Sequence, residues 1–303
     1  MDNETATHTA RRNRRMPLAQ SLGSTLVAVA LACGLAIAVG TASVQIGGVS
    51  AFLLAAVLAF AIQWLAFVPA FLGQTEHYFD LTGSGTYILL ALFGLWVGGD
   101  ARSLLLMILI TLWAGRLGSF LFSRVRQTGG DGRFDSIKPD FMQFFMTWTL
   151  QGLWVFLTMS PALAAMTATE SRSLGIVAIA GTLLWLAGFL IEVIADRQKQ
   201  AFRRVEANRG RFISSGLWAW SQHPNYFGEI LLWCGITLVA LPVFSGWQWL
   251  TLISPVFVYV LLTKISGIRM LDARARRLWG NDDEYQAYRQ RTSTLIPLPP
   301  GGN

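Results

Sequence analysis

Long apolar runs alternate with clusters of positive charge along this chain, and that alternation constrains the fold more than any other feature. The runs lie at about 21–45, 49–72, 84–99, 102–122, 141–161, 173–195, 225–243 and 247–265. Each is near the roughly 20 residues a helix needs to cross a bilayer. Gly98, Gly99 and Asp100 part the third from the fourth. Only 14% of the residues are charged and 53% are hydrophobic, whereas a soluble domain carries about a quarter charged. The expected fold is an all-α, multi-pass transmembrane helical bundle of about seven to eight spans, with a short C-terminal amphipathic segment. The first run is longer than the roughly 7–15-residue apolar region of a signal peptide, so it reads as a first span. Residues 1–20, with RRNRR at 11–15, read as a basic disordered tail, and 21–303 as a single membrane-embedded domain.

The charges define a topology. Of the 24 Lys and Arg, 21 fall at 11–15, 124–138, 197–211 and 264–291. With the N-terminus inside, spans four, six and eight end inside, and all four clusters share that face, as the positive-inside bias requires. Both termini are then cytoplasmic. A nucleic-acid-binding surface would not need the periodic apolar gaps, so no nucleic-acid partner is expected. Cys33 and Cys234 lack CxxC neighbours, and His8, His77 and His223 lack metal-ligand spacing, so no metal site is expected. No GxGxxG follows a strand, and no P-loop is present.

Ionisable groups near or within spans are costly, about 2.5–3.5 kcal/mol at the bilayer centre, and so are candidates for function. Glu192, Asp196, Lys199 and Arg203 share one helix face. That face is either a stripe of ordinary salt bridges or part of a site. Six cations at 197–211 follow it, and SQHPNYFGE at 221–229 then re-enters the membrane. A cluster of arginines beside a polar helix start suits a ligand bearing phosphate. Pro224 fits a first helical position. Asn225 and Glu229, four apart, point to one face, and Gly228 lets a flat ring or another backbone come close. His223 is either a donor to phosphate or a helix cap.

A second polar patch, GQTEHYFDLTGSGTY at 73–87, belongs to the same inner face. It is either a plain hydrophilic loop or a source of acids, among Glu76, His77, Tyr78, Asp80 and Tyr87, able to polarise a substrate carbonyl. The closing segment 266–303 reads either as a surface helix or as a lid over a site.

The stretch GLWAWSQHPNYFGEILLWCG resembles a pattern of the DUF1295 family, bacterial membrane proteins of unknown function similar to the C-terminal region of steroid 5α-reductases. YFDLTGSGTY, RLGSFLFSRV, GGDGRFDSIKPD, EVIADRQKQAFR, SPVFVYVLLTKISGI and EYQAYRQRTSTLIP extend the resemblance over roughly 78–300. It implies an NADPH-dependent membrane reductase of a lipid-soluble enone or related activated double bond, in a bacterial inner membrane, with membrane lipid around it. Carried over residue by residue, it implies cofactor contacts at Asp196, Arg203, Asn225 and Glu229, with Tyr226 and Gly228 as the adjacent wall and Arg274 and Arg277 in the tail. Asp80 falls near the place of a substrate-polarising glutamate. Trp113 stands where a tyrosine is expected, leaving Tyr78 and Tyr87 as substitute phenols. Gln222 replaces the arginine of the family's SRHPNYFGE, and Arg269 a proline common after SGI.

Two other functions compete. Isoprenylcysteine carboxyl methyltransferases share a related HP-x-Y-x-G segment and use S-adenosylmethionine, which carries no phosphate for an arginine cluster to grip. The other is a non-catalytic lipid-binding protein that retains only the fold.

Overall fold

The computed structural model describes residues 16–299. Among them, eight helices are long and apolar enough to cross a membrane, and the strands are one two-residue pair, β1 (Gln45–Ile46) with β2 (Val49–Ser50). The chain is an all-α, multi-pass integral membrane protein. Helix begins at Leu18, inside the stretch expected as a tail; residues 1–15 of that tail lie outside the described residues. The helices fall into two compact units, residues up to Ser173 with Val243–Thr251, and Leu174–Pro242 with the chain from Leu252 onward.

The first unit contains α1 (Leu18–Gly40), α2 (Ala51–Leu72), α3 (Phe79–Gly98), α4 (Ala101–Thr128) and α5 (Phe141–Met166). Its centre is α5, 83% buried over its apolar window, against 28% for α1 and 44% for α2. This helix also has the lowest mean hydropathy of the eight, 1.3. A helix surrounded by protein rather than lipid can carry polar groups, and these pin its neighbours. Trp64 Nε1 donates to Thr149 Oγ1 (3.1 Å), Gln151 Nε2 to the Phe79 carbonyl (3.0 Å) and, between α2 and α3, Gln63 Nε2 to Thr86 Oγ1 (2.8 Å). Asp100 and Asp140 cap α4 and α5 by accepting from Ser103 and Gln143 amides, while Gly99 and Gly129 end α3 and α4 in the left-handed region that glycine tolerates.

Helix α3 starts at Phe79, earlier than the span expected from residue 84. The polar patch is therefore a loop only through Tyr78. Asp80 sits in the first turn of a helix whose Gly83, Ser84, Thr86 and Tyr87 form a face that packs inside the protein rather than against lipid.

The second unit contains α6 (Ile176–Arg204), α7 (Pro224–Ala240), α8 (Ile253–Val260), α9 (Ile268–Trp279) and α10 (Asp283–Arg291). Helices α6 and α7 run antiparallel along a glycine seam. Gly181 faces Gly235 and Gly188 faces Gly228, each helix repeating its glycine after seven residues, the spacing that keeps one seam turned to a partner. A Cβ at Gly228 would lie 2.6 Å from the Gly188 carbonyl oxygen and 2.7 Å from the Glu192 amide. Small residues permit this backbone approach and its close van der Waals packing.

Gly228→Ala and Gly235→Ala should therefore each destabilise by about 1–3 kcal/mol through overpacking. Gly85→Ala, with nothing within 4 Å of the added carbon, should be neutral or stabilising by up to about 1 kcal/mol. Thermal unfolding in detergent reads the contrast; equal melting temperatures for the variants would contradict the seam.

Candidate functional site

The polar residues singled out in the sequence form two groups, one in each unit. In the second unit the seam brings the exit of α6 beside the start of α7. Glu192 is 2% and Asp196 7% exposed. Asn225 Nδ2 donates to Asp196 Oδ1 at 3.3 Å, so two of the expected site residues meet directly. Lys199 lies over the Trp218 ring, 4.3 Å from its centroid, and Trp218 Nε1 donates to the Ala195 carbonyl at 3.0 Å. Arg203 is exposed near the end of α6, and Glu229 is half-buried one turn beyond Asn225.

His223 precedes Pro224, the first residue of α7, and its side chain does not cap the helix. The ring is buried, stacked on Tyr226 (centroids 5.7 Å apart, planes 9° apart), with Nε2 3.6 Å from Asp272 Oδ1. Arg289 approaches the other oxygen of Asp272, also at 3.6 Å. Gly228, expected as part of a cofactor wall, has its open side filled by the backbone of Gly188 and Glu192. Its missing side chain makes room for a helix, not for a ring.

The tail is built into this region. Gln222 Nε2 donates to the Thr292 carbonyl (2.7 Å), Ser221 Oγ to the Leu295 carbonyl (2.8 Å) and Tyr288 Oη to the Trp218 carbonyl (2.7 Å). Backbone bonds run from the Gln222 amide to the Ser293 carbonyl (2.8 Å) and from the Leu298 amide to the Trp220 carbonyl (3.1 Å). Phe212 packs on Trp279, Tyr285 and Tyr288, and burial pushes both tyrosine hydroxyls above their ordinary pKa. The segment after α9 is thus a wall of the HPNY turn. Arg274 and Arg277, expected to reach the cofactor, are exposed, and the Arg277 side chain turns back to the Ala273 carbonyl. Asp272 and Arg289 are the tail residues that reach the turn. No local spacing in the sequence distinguishes them from their charged neighbours.

In the first unit, the 73–78 loop and the 129–140 loop close over one end of the bundle. Phe134 inserts against Phe79, centroids 5.0 Å apart. Glu76, 4% exposed, accepts from the Asp131 amide (2.8 Å) and from Lys138 Nζ (2.5 Å). Burial alone would raise the Glu76 carboxyl, but Lys138 and the Asp131 amide hold it below the ordinary carboxylate value. Burial likewise opposes the charge on Lys138, but Glu76 and Asp135 hold its pKa above the ordinary value. A polar cleft of about 490 Å³ lies between the loops, lined by Glu76, His77, Asp131, Asp135 and Lys138 among others.

Asp80 faces Arg124 across 3.9 Å. Tyr87, two turns along the same face of α3, is 7% exposed and meets Trp113 edge to face at 5.0 Å. Tyr78 precedes the helix, 58% exposed, with its ring beside Phe122. Of the two candidate phenols, Tyr87 is the one that shares a face with Asp80 and adjoins position 113.

A model of the family described as "Protein of unknown function (DUF1295)" matches residues 66–292. The chain belongs to the DUF1295 family. Among curated proteins, this DUF1295 member is 32% identical over 69 residues to 3-oxo-5-alpha-steroid 4-dehydrogenase 1 of Bos taurus, covering 23% of the chain and 26% of that protein. It is 37% identical over 57 residues to the protein of the same name from Macaca fascicularis (19% and 22%). It is 26% identical over 174 residues to an uncharacterized protein of Schizosaccharomyces pombe (48% and 51%). The chain thus spans between about a fifth and a half of the length of these relatives. No solved structure matches.

Glu76→Gln should destabilise the first unit by about 1–3 kcal/mol at neutral pH, because a buried partner is left unpaired. A lowered folded-state pKa makes the wild-type contribution full above the unfolded value near 4.5 and lost as pH falls through the folded one. Melting temperatures should accordingly converge for the two proteins well below pH 4.5. Parallel curves over the whole range would contradict a stabilising Glu76–Lys138 pair.

Proposed function

We propose that this DUF1295 protein is an NADPH-dependent membrane reductase acting on the activated carbon–carbon double bond of a lipophilic small molecule. The observation that carries the reading is the meeting at the HPNY turn of an acid–amide pair, Asp196 with Asn225, and of His223 and Arg289 on the two oxygens of Asp272. Those two chemistries suit the amide or hydroxyl groups and the phosphates of a nicotinamide dinucleotide phosphate. The donor set fits that group: His223 Nε2 is buried with only the long 3.6 Å approach to Asp272 Oδ1, and the Arg289 guanidinium lies by the other oxygen of that carboxylate. The matched relatives named as steroid 4-dehydrogenases favour redox chemistry over methyl transfer.

On this reading Asp196, Asn225 and Glu229 hold amide and hydroxyl groups of the cofactor. Arg203 and His223 face its phosphates, and Tyr226 lines the same wall. Bound NADPH would supply the hydride that adds to the β-carbon of an enone. The part left to the protein is a hydrogen bond to the carbonyl oxygen, where negative charge develops. Asp80 in its acid form would donate it, with the Tyr87 phenol two turns along the same helix face. The α-carbon of the resulting enolate would then take a proton from water, with NADP+ as the other product. The basic clusters favour a cytoplasmic location for both termini in a bacterial inner membrane, with the site open to soluble cofactor and the helices to lipid.

Calorimetric titration of detergent-solubilised protein with NADPH and with S-adenosylmethionine tests the reading. Saturable NADPH binding is expected, weakened about ten-fold or more in Glu229→Ala and Arg203→Ala. Asp80→Asn should lower turnover about 100-fold or more while leaving NADPH affinity within about two-fold. Binding of S-adenosylmethionine without NADPH would overturn the reductase in favour of a methyltransferase.

A further inference from the structure

His223 and Arg289 converge on one carboxylate, that of Asp272, yet neither holds it closely. Both separations are 3.6 Å, beyond the roughly 2.7–3.2 Å of a nitrogen–oxygen hydrogen bond. The His223 side chain is only 8% exposed, and its Nε2 is buried with no hydrogen-bond partner. Buried polar atoms are nearly always bonded, and an exception calls for an explanation. Tyr226 stacks nearly parallel to the ring, centroids 5.7 Å apart. Directly beyond His223, α7 begins without a side-chain cap, and uncapped helix amides favour an anion. Asp272 is the one acid on α9, among Arg269, Arg274, Arg276 and Arg277. Its side chain and that of Arg289 are 22% and 24% exposed, so this pair borders solvent.

We propose that Asp272 is an internal competitor, a carboxylate loosely occupying a phosphate subsite formed by His223, Arg289 and the start of α7. A ligand phosphate, tetrahedral and carrying more charge, would take shorter bonds from both side chains and displace Asp272. Released, Asp272 has the arginines of its own helix as partners. Such an exchange sets a threshold: weak anions leave the pair closed, and a phosphate-bearing ligand opens it. This inference rests on the reductase reading for the identity of the ligand, but not for the existence of the subsite.

The sign of one substitution tests it. Inorganic pyrophosphate and NADPH are titrated into the full chain, as wild type, Asp272→Asn and Arg289→Gln. Removing the competitor should tighten pyrophosphate and NADPH about ten-fold, and removing Arg289 should weaken both about ten-fold. If Asp272 merely braces His223, Asp272→Asn weakens binding or leaves it unchanged, and the proposal fails. Asp272→Glu is the second variant, usable should Asp272→Asn not fold. A longer carboxylate reaching both His223 and Arg289 competes better and should weaken pyrophosphate about three-fold; unchanged affinity would count against the competitor. Pyrophosphate binding that responds to Asp272 without NADPH binding leaves the subsite standing and removes the reductase reading. NADPH binding indifferent to both Asp272 and Arg289 does the reverse. Repeating the comparison in phosphatidylglycerol and phosphatidylcholine nanodiscs separates a lipid phosphate from a soluble one. If Asp272→Asn gains affinity only for phosphatidylglycerol, the subsite stands with a lipid headgroup as its occupant.

Discussion

The approach of α6 to α7 across four glycines is the interaction on which the geometry of the HPNY turn depends. Gly188 against Gly228 brings two backbones close enough that Asn225 reaches Asp196. A single methyl group at the seam would push those side chains apart. In lipid no hydrophobic driving force holds helices together, so close packing and interhelical hydrogen bonds must do it. The same seam buries Glu192, 2% exposed, in a place where an acid is costly. Stability and site geometry are therefore coupled in this pair of helices.

Tail docking is the second constraint. Gln222, where the family pattern has arginine, turns to the Thr292 and Arg289 carbonyls. Ser221 and Tyr288 add bonds of the same kind. A charged arginine at 222 would offer the same donors, so the replacement keeps the tail contact and removes one cation from the turn. With the segment 283–298 held this way, Arg289 is set beside Asp272, the carboxylate that His223 also approaches.

Much of the fold was legible because the bilayer leaves few options. A run of about 20 apolar residues must be helical, and the basic clusters mark where the runs end. Register within a helix was also readable: Asn225 and Glu229, or Glu192 and Asp196, follow from the helical repeat. Contacts between distant segments were not. Nothing near Lys138 signals that it will pair with Glu76, and Asp272 looks like one more charge in a basic helix. Gly228 was read for its missing side chain, but a glycine tells only that something comes close. Whether that is a ring or a backbone depends on Gly188, forty residues earlier in the chain. The start of α3 at Phe79 was hidden because DLTGSGTY is too polar to look like a span, and it is helical because α5, not lipid, covers it.

The reductase reading is tested most directly by following an isotope. Protein in nanodiscs, supplied with a lipid extract and NADPH deuterated at the transferable position of nicotinamide C4, should yield reduced lipid carrying one carbon-bound deuterium. The yield should collapse in Asp80→Asn. Methyl label appearing in lipid from S-adenosylmethionine, with no deuterium transferred from NADPH, would contradict it.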